Sequence, residues 1–117
     1  RGLGDVYKRQ VLQRTFEQPG ERSVHDLIPA LHPGVDWVLV EGFRDSNLLK
    51  VEVWRPATQR PARYPDDPFI VAIATDAPDH LPETTLRPVL DLNDAGVVAA
   101  WLADNGERFD YDPEAYR

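Results

Sequence analysis

The sequence predicts an α/β fold, a mixed, mostly parallel sheet with flanking helices, and three observations carry that expectation. Trp37-Val38-Leu39-Val40 and Phe69-Ile70-Val71-Ala72-Ile73-Ala74 are apolar on both faces, the pattern of strands in the centre of a covered sheet. Leu49 to Trp54 reads as a half-exposed strand and Pro88 to Leu90 as a short one. Val97, Val98, Trp101 and Leu102 recur at helical spacing after a capping Asn93 or Asp94.

In chain order, Ser23 followed by Asp26 has the spacing of a capping box, and Val24, Leu27, Ile28 and Leu31 continue it as a brief amphipathic helix limited by Pro29. His32-Pro33-Gly34 stops the helix and the first strand, Trp37 to Val40, follows, closed by Glu41-Gly42. The few residues from Gly42 to Leu48 are too short for a parallel crossover, so the next strand is expected to run antiparallel to the first. In that strand Lys50 and Glu52 alternate with Val51 and Val53, as on a half-exposed strand near a sheet edge. The segment from Arg55 to Pro68, with Pro56, Pro61, Pro65 and Pro68, reads as a long loop before the second core strand. Thr75-Asp76-Ala77-Pro78 closes that strand, a further loop runs through Arg87, and Gly106 is the expected stop of the last helix.

The 117 residues carry 13 Lys and Arg against 20 Asp and Glu, a formal charge of −7, with no Cys. This acidity argues against nucleic acid and against anionic membranes as partners. Without cysteine there is neither a disulfide framework nor a thiolate metal site. No apolar run approaches the ~20 residues that span a bilayer, and no segment resembles a signal peptide, so the reading is of a cytoplasmic protein. Arg1 to Gln10 resembles the in-frame translation of a sequencing adaptor; residues 1–10 are therefore expected to be a non-native leader and 11–117 the C-terminal part of a single domain.

Each expected core strand finishes on a carboxylate: Glu41, Asp76 and Asp91. Ligands of α/β sheets bind at the carboxyl edge of parallel strands, where such acids handle phosphates and Mg²⁺. Asp76 and Asp91 also suit Asx-type turns. Glu41, after Trp-Val-Leu-Val and before Gly42, is placed like the Walker B acid that orients Mg²⁺ in P-loop NTPases. Lys50 either shares a ligand or an ion pair with Glu41 or is an ordinary edge-strand lysine. Arg55, Arg60 and Arg63 either clamp a phosphate or a partner's acids, or are solvated loop arginines. His25, His32 and His80 lack ligand spacing, no Gly-x-Ser-x-Gly elbow occurs, and no catalytic residue is assigned. No Gly precedes a Lys anywhere, so a Walker A loop is missing.

The ordered segments Asp36 to Arg44 with Val40-Glu41-Gly42-Phe43, Lys50 to Arg55, Pro65 to Pro68, Val71 to Pro78 with Ala74-Thr75-Asp76-Ala77-Pro78, and Val89 to Asp94 resemble the C-terminal half of the MobB family, the molybdopterin-guanine dinucleotide biosynthesis proteins B. The resemblance runs from about Ser23 to Leu102. It implies a partial P-loop NTPase fold of the signal-recognition-particle and MinD type, lacking the N-terminal P-loop strand and helix. It further implies GTP and Mg²⁺ as cofactors, a homodimer, and an accessory role beside a MobA-like guanylyltransferase that acts on molybdopterin to give its guanine dinucleotide. Members are at most weak GTPases, and a piece without Walker A is expected to be inactive. On the matching positions Glu41 and Gly42 form the Walker B pair, with Glu41 toward Mg²⁺, and Asp76 lies near the base, where an acid accepts the N1 and N2 hydrogens of guanine. The competing expectation is a nucleotide-free protein-interaction module derived from the same fold.

Overall fold

The computed structural model describes residues 23–30 and 34–116; the expected leader, residues 1–10, lies outside them. The chain divides into two compact units, one of Arg1–Ser46 with Asp112–Arg117 and one of Asn47–Tyr111.

In the first unit, α1 (Val24–Leu27) is a single turn continued by a 3₁₀ turn, Ile28–Ala30. The Ser23 hydroxyl accepts the His25 amide at 3.1 Å and the Asp26 carboxylate accepts the Ser23 amide at 3.2 Å, the reciprocal cap expected from the spacing. Val24 and Leu27 are buried. The expected strand Trp37 to Val40 is not formed: it makes no ladder among the described residues, and Leu39 is 79% exposed. An apolar run states a demand for cover, and only pairing with neighbours turns it into a strand.

The second unit holds the sheet. β1 (Lys50–Trp54), β2 (Ile70–Thr75) and β3 (Val89–Asp91) lie in the order β1-β2-β3, parallel throughout, and α2 (Ala95–Asp104) follows. This three-stranded parallel sheet with helices beside it is consistent with part of a P-loop NTPase-like fold. The antiparallel partner expected for β1 is replaced by a parallel one, β2, because residues 55–69 are long enough to carry the chain back across the sheet. Trp54 is in register with Thr75, and Thr75 with Asp91, so all three strands end together.

β2 is the buried centre, as its two-faced apolar run predicts, with Ala72 and Ile73 fully covered. Its faces are covered differently. Ile73 packs with Trp54 and Tyr64, under the crossover from β1. Ala72 and Ala74 face Leu90, Val51, Val98 and Trp101, small side chains that let α2 approach the sheet closely. Val97, expected on the same helix face, is instead 43% exposed. Asp94 caps α2 by accepting the Val97 amide at 3.1 Å. The helix ends at Asn105, whose side chain donates to the Trp101 carbonyl at 2.8 Å, one residue before the expected Gly106. No helix among the described residues is long and apolar enough to cross a membrane.

The proline-rich crossover is not a slack loop. Glu52 reaches from β1 and accepts the amides of Arg63 and Tyr64, each at 2.8 Å. Tyr64, 1% exposed, donates its hydroxyl to the Glu83 carbonyl and accepts the Glu83 amide at 2.9 Å. The Trp54 indole donates to the Arg60 carbonyl at 3.1 Å. Arg87 ties the start of β2 by donating to the Ile70 carbonyl at 2.6 Å. Because it removes two half-buried hydrogen bonds to the Glu83 backbone, each worth ~0.5–1.5 kcal/mol, Tyr64→Phe is expected to destabilise the fold by ~1–3 kcal/mol, and Ile73→Ala by ~2–5 kcal/mol through the cavity it leaves. Urea denaturation of the two variants checks both values.

Candidate functional site

Parallel pairing puts the carboxyl ends of β1 and β2 side by side, and the residues just past those ends meet. Arg55 Nε donates to Asp76 Oδ2 at 3.2 Å. Both backbones are fixed. The Arg55 carbonyl accepts the Thr58 amide at 3.1 Å and its hydroxyl at 2.8 Å, while Thr75, 1% exposed, accepts the Ala77 amide on its hydroxyl at 3.1 Å. The turn after β2 is therefore closed by Thr75, and the Asp76 carboxylate is left to face Arg55. Asp91, at the end of β3, accepts the Asn93 amide at 2.9 Å and is the turn former that its sequence also allowed.

Lys50 lies at the opposite edge. It begins β1, four residues from Trp54 and hence about 13 Å away at ~3.3 Å per residue. There its ammonium meets Asp67 at 3.2 Å and sits 5.2 Å from the centre of the Phe69 ring. Asp67 accepts the Phe69 amide on its other oxygen at 2.9 Å, so this half-buried cluster fastens the entry to β2. Of the sequence-nominated residues in this unit, Arg55 and Asp76 come together and Lys50 does not join them.

Glu41 and Gly42 belong to the first unit. Glu41 is exposed and stands before a bend at Gly42 and Phe43, with φ of 83° and 51°. A Cβ at residue 42 meets nothing within 4 Å, so the left-handed backbone alone is what favours glycine there. Among the described residues no group of three or more His, Asp or Glu side chains converges on a point that could hold a metal ion. His25 lies in α1, His80 is exposed in the turn after β2, and His32 lies outside the described residues.

Sequence reading missed the side chains that build this edge. Glu52 looks like the solvent-facing member of an alternating strand and Tyr64 like one aromatic in a loop. A lone aromatic between prolines was the available signal.

Compared with known proteins, the chain matches the family model MobB, Molybdopterin guanine dinucleotide synthesis protein B, over residues 5–76. The match begins within the decapeptide read as a leader and ends on Asp76, whereas the resemblance read from motifs ran from about Ser23 to Leu102. No curated protein and no solved structure matches.

Because Arg55 is 53% exposed at its side chain, the pair with Asp76 is expected to add little stability. Arg55→Ala and Asp76→Asn should each shift unfolding by less than about 1 kcal/mol. Paired melting curves check this, and a larger loss would make the contact a structural one.

Proposed function

The chain belongs to the MobB family, acting in molybdopterin guanine dinucleotide synthesis, and on that premise we propose that it is a GTP-binding accessory protein of this synthesis. It works beside a MobA-like guanylyltransferase, as a homodimer in the cytoplasm, and either delivers guanine nucleotide to that enzyme or takes the finished guanine dinucleotide from it and hands it on. The observation that carries the reading is the family match across 5–76, which takes in Glu41, Gly42, Lys50, Arg55 and Asp76.

The residues fit the implied nucleotide on one side. Asp76 lies just past the carboxyl edge of a parallel sheet, and α/β folds generally bind ligands along that edge, which supports the reading. Its carboxylate accepts two hydrogens, which suits the N1 and N2 donors of guanine. On the phosphate side they do not fit: no Gly precedes a Lys in the 117 residues, and no metal-holding cluster occurs among the described ones. No hydrolytic step is assigned to this chain. Its own residues bind and orient a base and leave the group transfer to the partner enzyme.

The missing Gly-Lys pair favours a second reading, a nucleotide-free interaction module that keeps the sheet and engages the same partner. Calorimetric titration of the chain with GTP and with ATP, each with Mg²⁺, separates the two. The GTP reading expects binding at least about tenfold tighter for GTP, a difference of ~1.4 kcal/mol, and loss of that preference in Asp76→Asn. Equal or absent binding of both nucleotides, together with nucleotide-independent binding to the guanylyltransferase, overturns it in favour of the module.

A further inference from the structure

We propose that Arg55 reads the O6 atom of a guanine whose N1 and N2 hydrogens go to Asp76, so that the ion pair is itself the guanine-selective edge. The inference rests on the base-side role of Asp76 and adds to it a specificity-determining residue and the reason it discriminates.

The contact is one-pronged. Of the five N–H donors of the Arg55 guanidinium, the Nε–H meets Asp76 Oδ2 at 3.2 Å, and among the described residues its terminal amino groups and Asp76 Oδ1 make no hydrogen bond. Guanidinium and carboxylate frequently pair two-pronged, and the single contact here leaves donors and an acceptor open for a ligand. The open atoms can be reached by a ligand, since the side chains are 53% and 26% exposed. They are also held in place. Trp54 and Thr75 are register partners, so the residues that follow them sit at the ends of adjacent strands, and the hydroxyls of Thr58 and Thr75 fasten the backbone on either side.

The order of donors and acceptors decides which base fits. Along its pairing edge guanine offers an acceptor, O6, then the donors N1–H and N2–H. Arginine beside aspartate offers donors, then acceptors, and the two series are complementary. Adenine offers a donor at the 6-position and an acceptor at N1, so the same pair would set donor against donor and acceptor against acceptor. Rejection then comes from unpaired polar groups as much as from lost attraction. The shared chemistry is a guanine base, which a free nucleotide and a guanine dinucleotide both carry.

Titrating the full chain with GMP, 6-thio-GMP, IMP and AMP tests this, because 6-thio-GMP weakens only the acceptor at the 6-position and IMP lacks only the N2 amine. GMP should bind roughly fivefold tighter than 6-thio-GMP, the worth of one hydrogen bond. Arg55→Ala should erase that difference while keeping the preference for GMP over IMP, and Arg55→Lys, with one ammonium in reach, should restore part of it. An Arg55→Ala protein that still separates GMP from 6-thio-GMP overturns the proposal and leaves the role of Asp76 standing. Asp76→Asn with an unchanged GMP-to-IMP ratio, or a wild-type chain that binds GMP no better than AMP, overturns the base-side reading and this proposal with it. GTP and GDP-mannose, whose esterified diphosphate resembles that of a dinucleotide, then identify the source. Tighter GTP marks the free nucleotide, tighter GDP-mannose the dinucleotide, and either supports the guanine reading.

Discussion

The parallel pairing of β1 with β2 is the constraint on which the rest of the second unit depends. Two adjacent strands run parallel only if the chain returns to the starting edge between them, and here the return is made by residues 55–69, a polar segment rich in proline. Such a segment has little apolar surface of its own with which to fold. It is fixed by β1 itself: one carboxylate, that of Glu52, takes two consecutive amides of the crossover at 2.8 Å each. Hydrogen bonds donated to a carboxylate in a half-buried place are among the stronger ones available to a loop. Tyr64 is thereby pressed against Ile73 and Trp54, and the crossover becomes the cover of one sheet face.

The other face is built by different means, small alanines on β2 and a helix bearing Val98 and Trp101. The two faces together leave β2 buried and its neighbours at the sheet edges, with Val53 62% exposed. A stiff central strand and common strand ends place Arg55 beside Asp76 without either side chain being buried. The meeting of Arg55 with Asp76 depends on backbone register, and the residues that set the register lie underneath it.

Much of this was legible. The two-faced run of β2, the helical spacing of Val98 and Trp101, and the caps at Ser23 and Asp94 are local signals whose chemistry is complete within a few residues. What was not legible depended on partners. Trp37 to Val40 has the composition of a central strand and no ladder among the described residues, because composition records hydrophobicity and a strand also needs a neighbour. The crossover-length rule was sound, and β1 took its parallel neighbour through the longer segment that follows it. Asp76 and Arg55 were both nominated, yet their meeting could not be foreseen, since it follows from strand direction and register. The expectation for Lys50 rests on an antiparallel strand beginning where Glu41 ends, and in the parallel sheet Lys50 instead meets Asp67 at the far edge.

The carboxyl ends of β1 and β2 are the proposed nucleotide-facing edge of this MobB-family chain. Backbone and arginine side-chain NMR shifts, followed while GTP is added to the isotopically labelled chain, test it most directly. The account predicts the largest shifts at Arg55, Asp76 and Ala77, with Lys50 and Asp67 unmoved. Shifts centred on Lys50 and Asp67, or none at either edge, would contradict it.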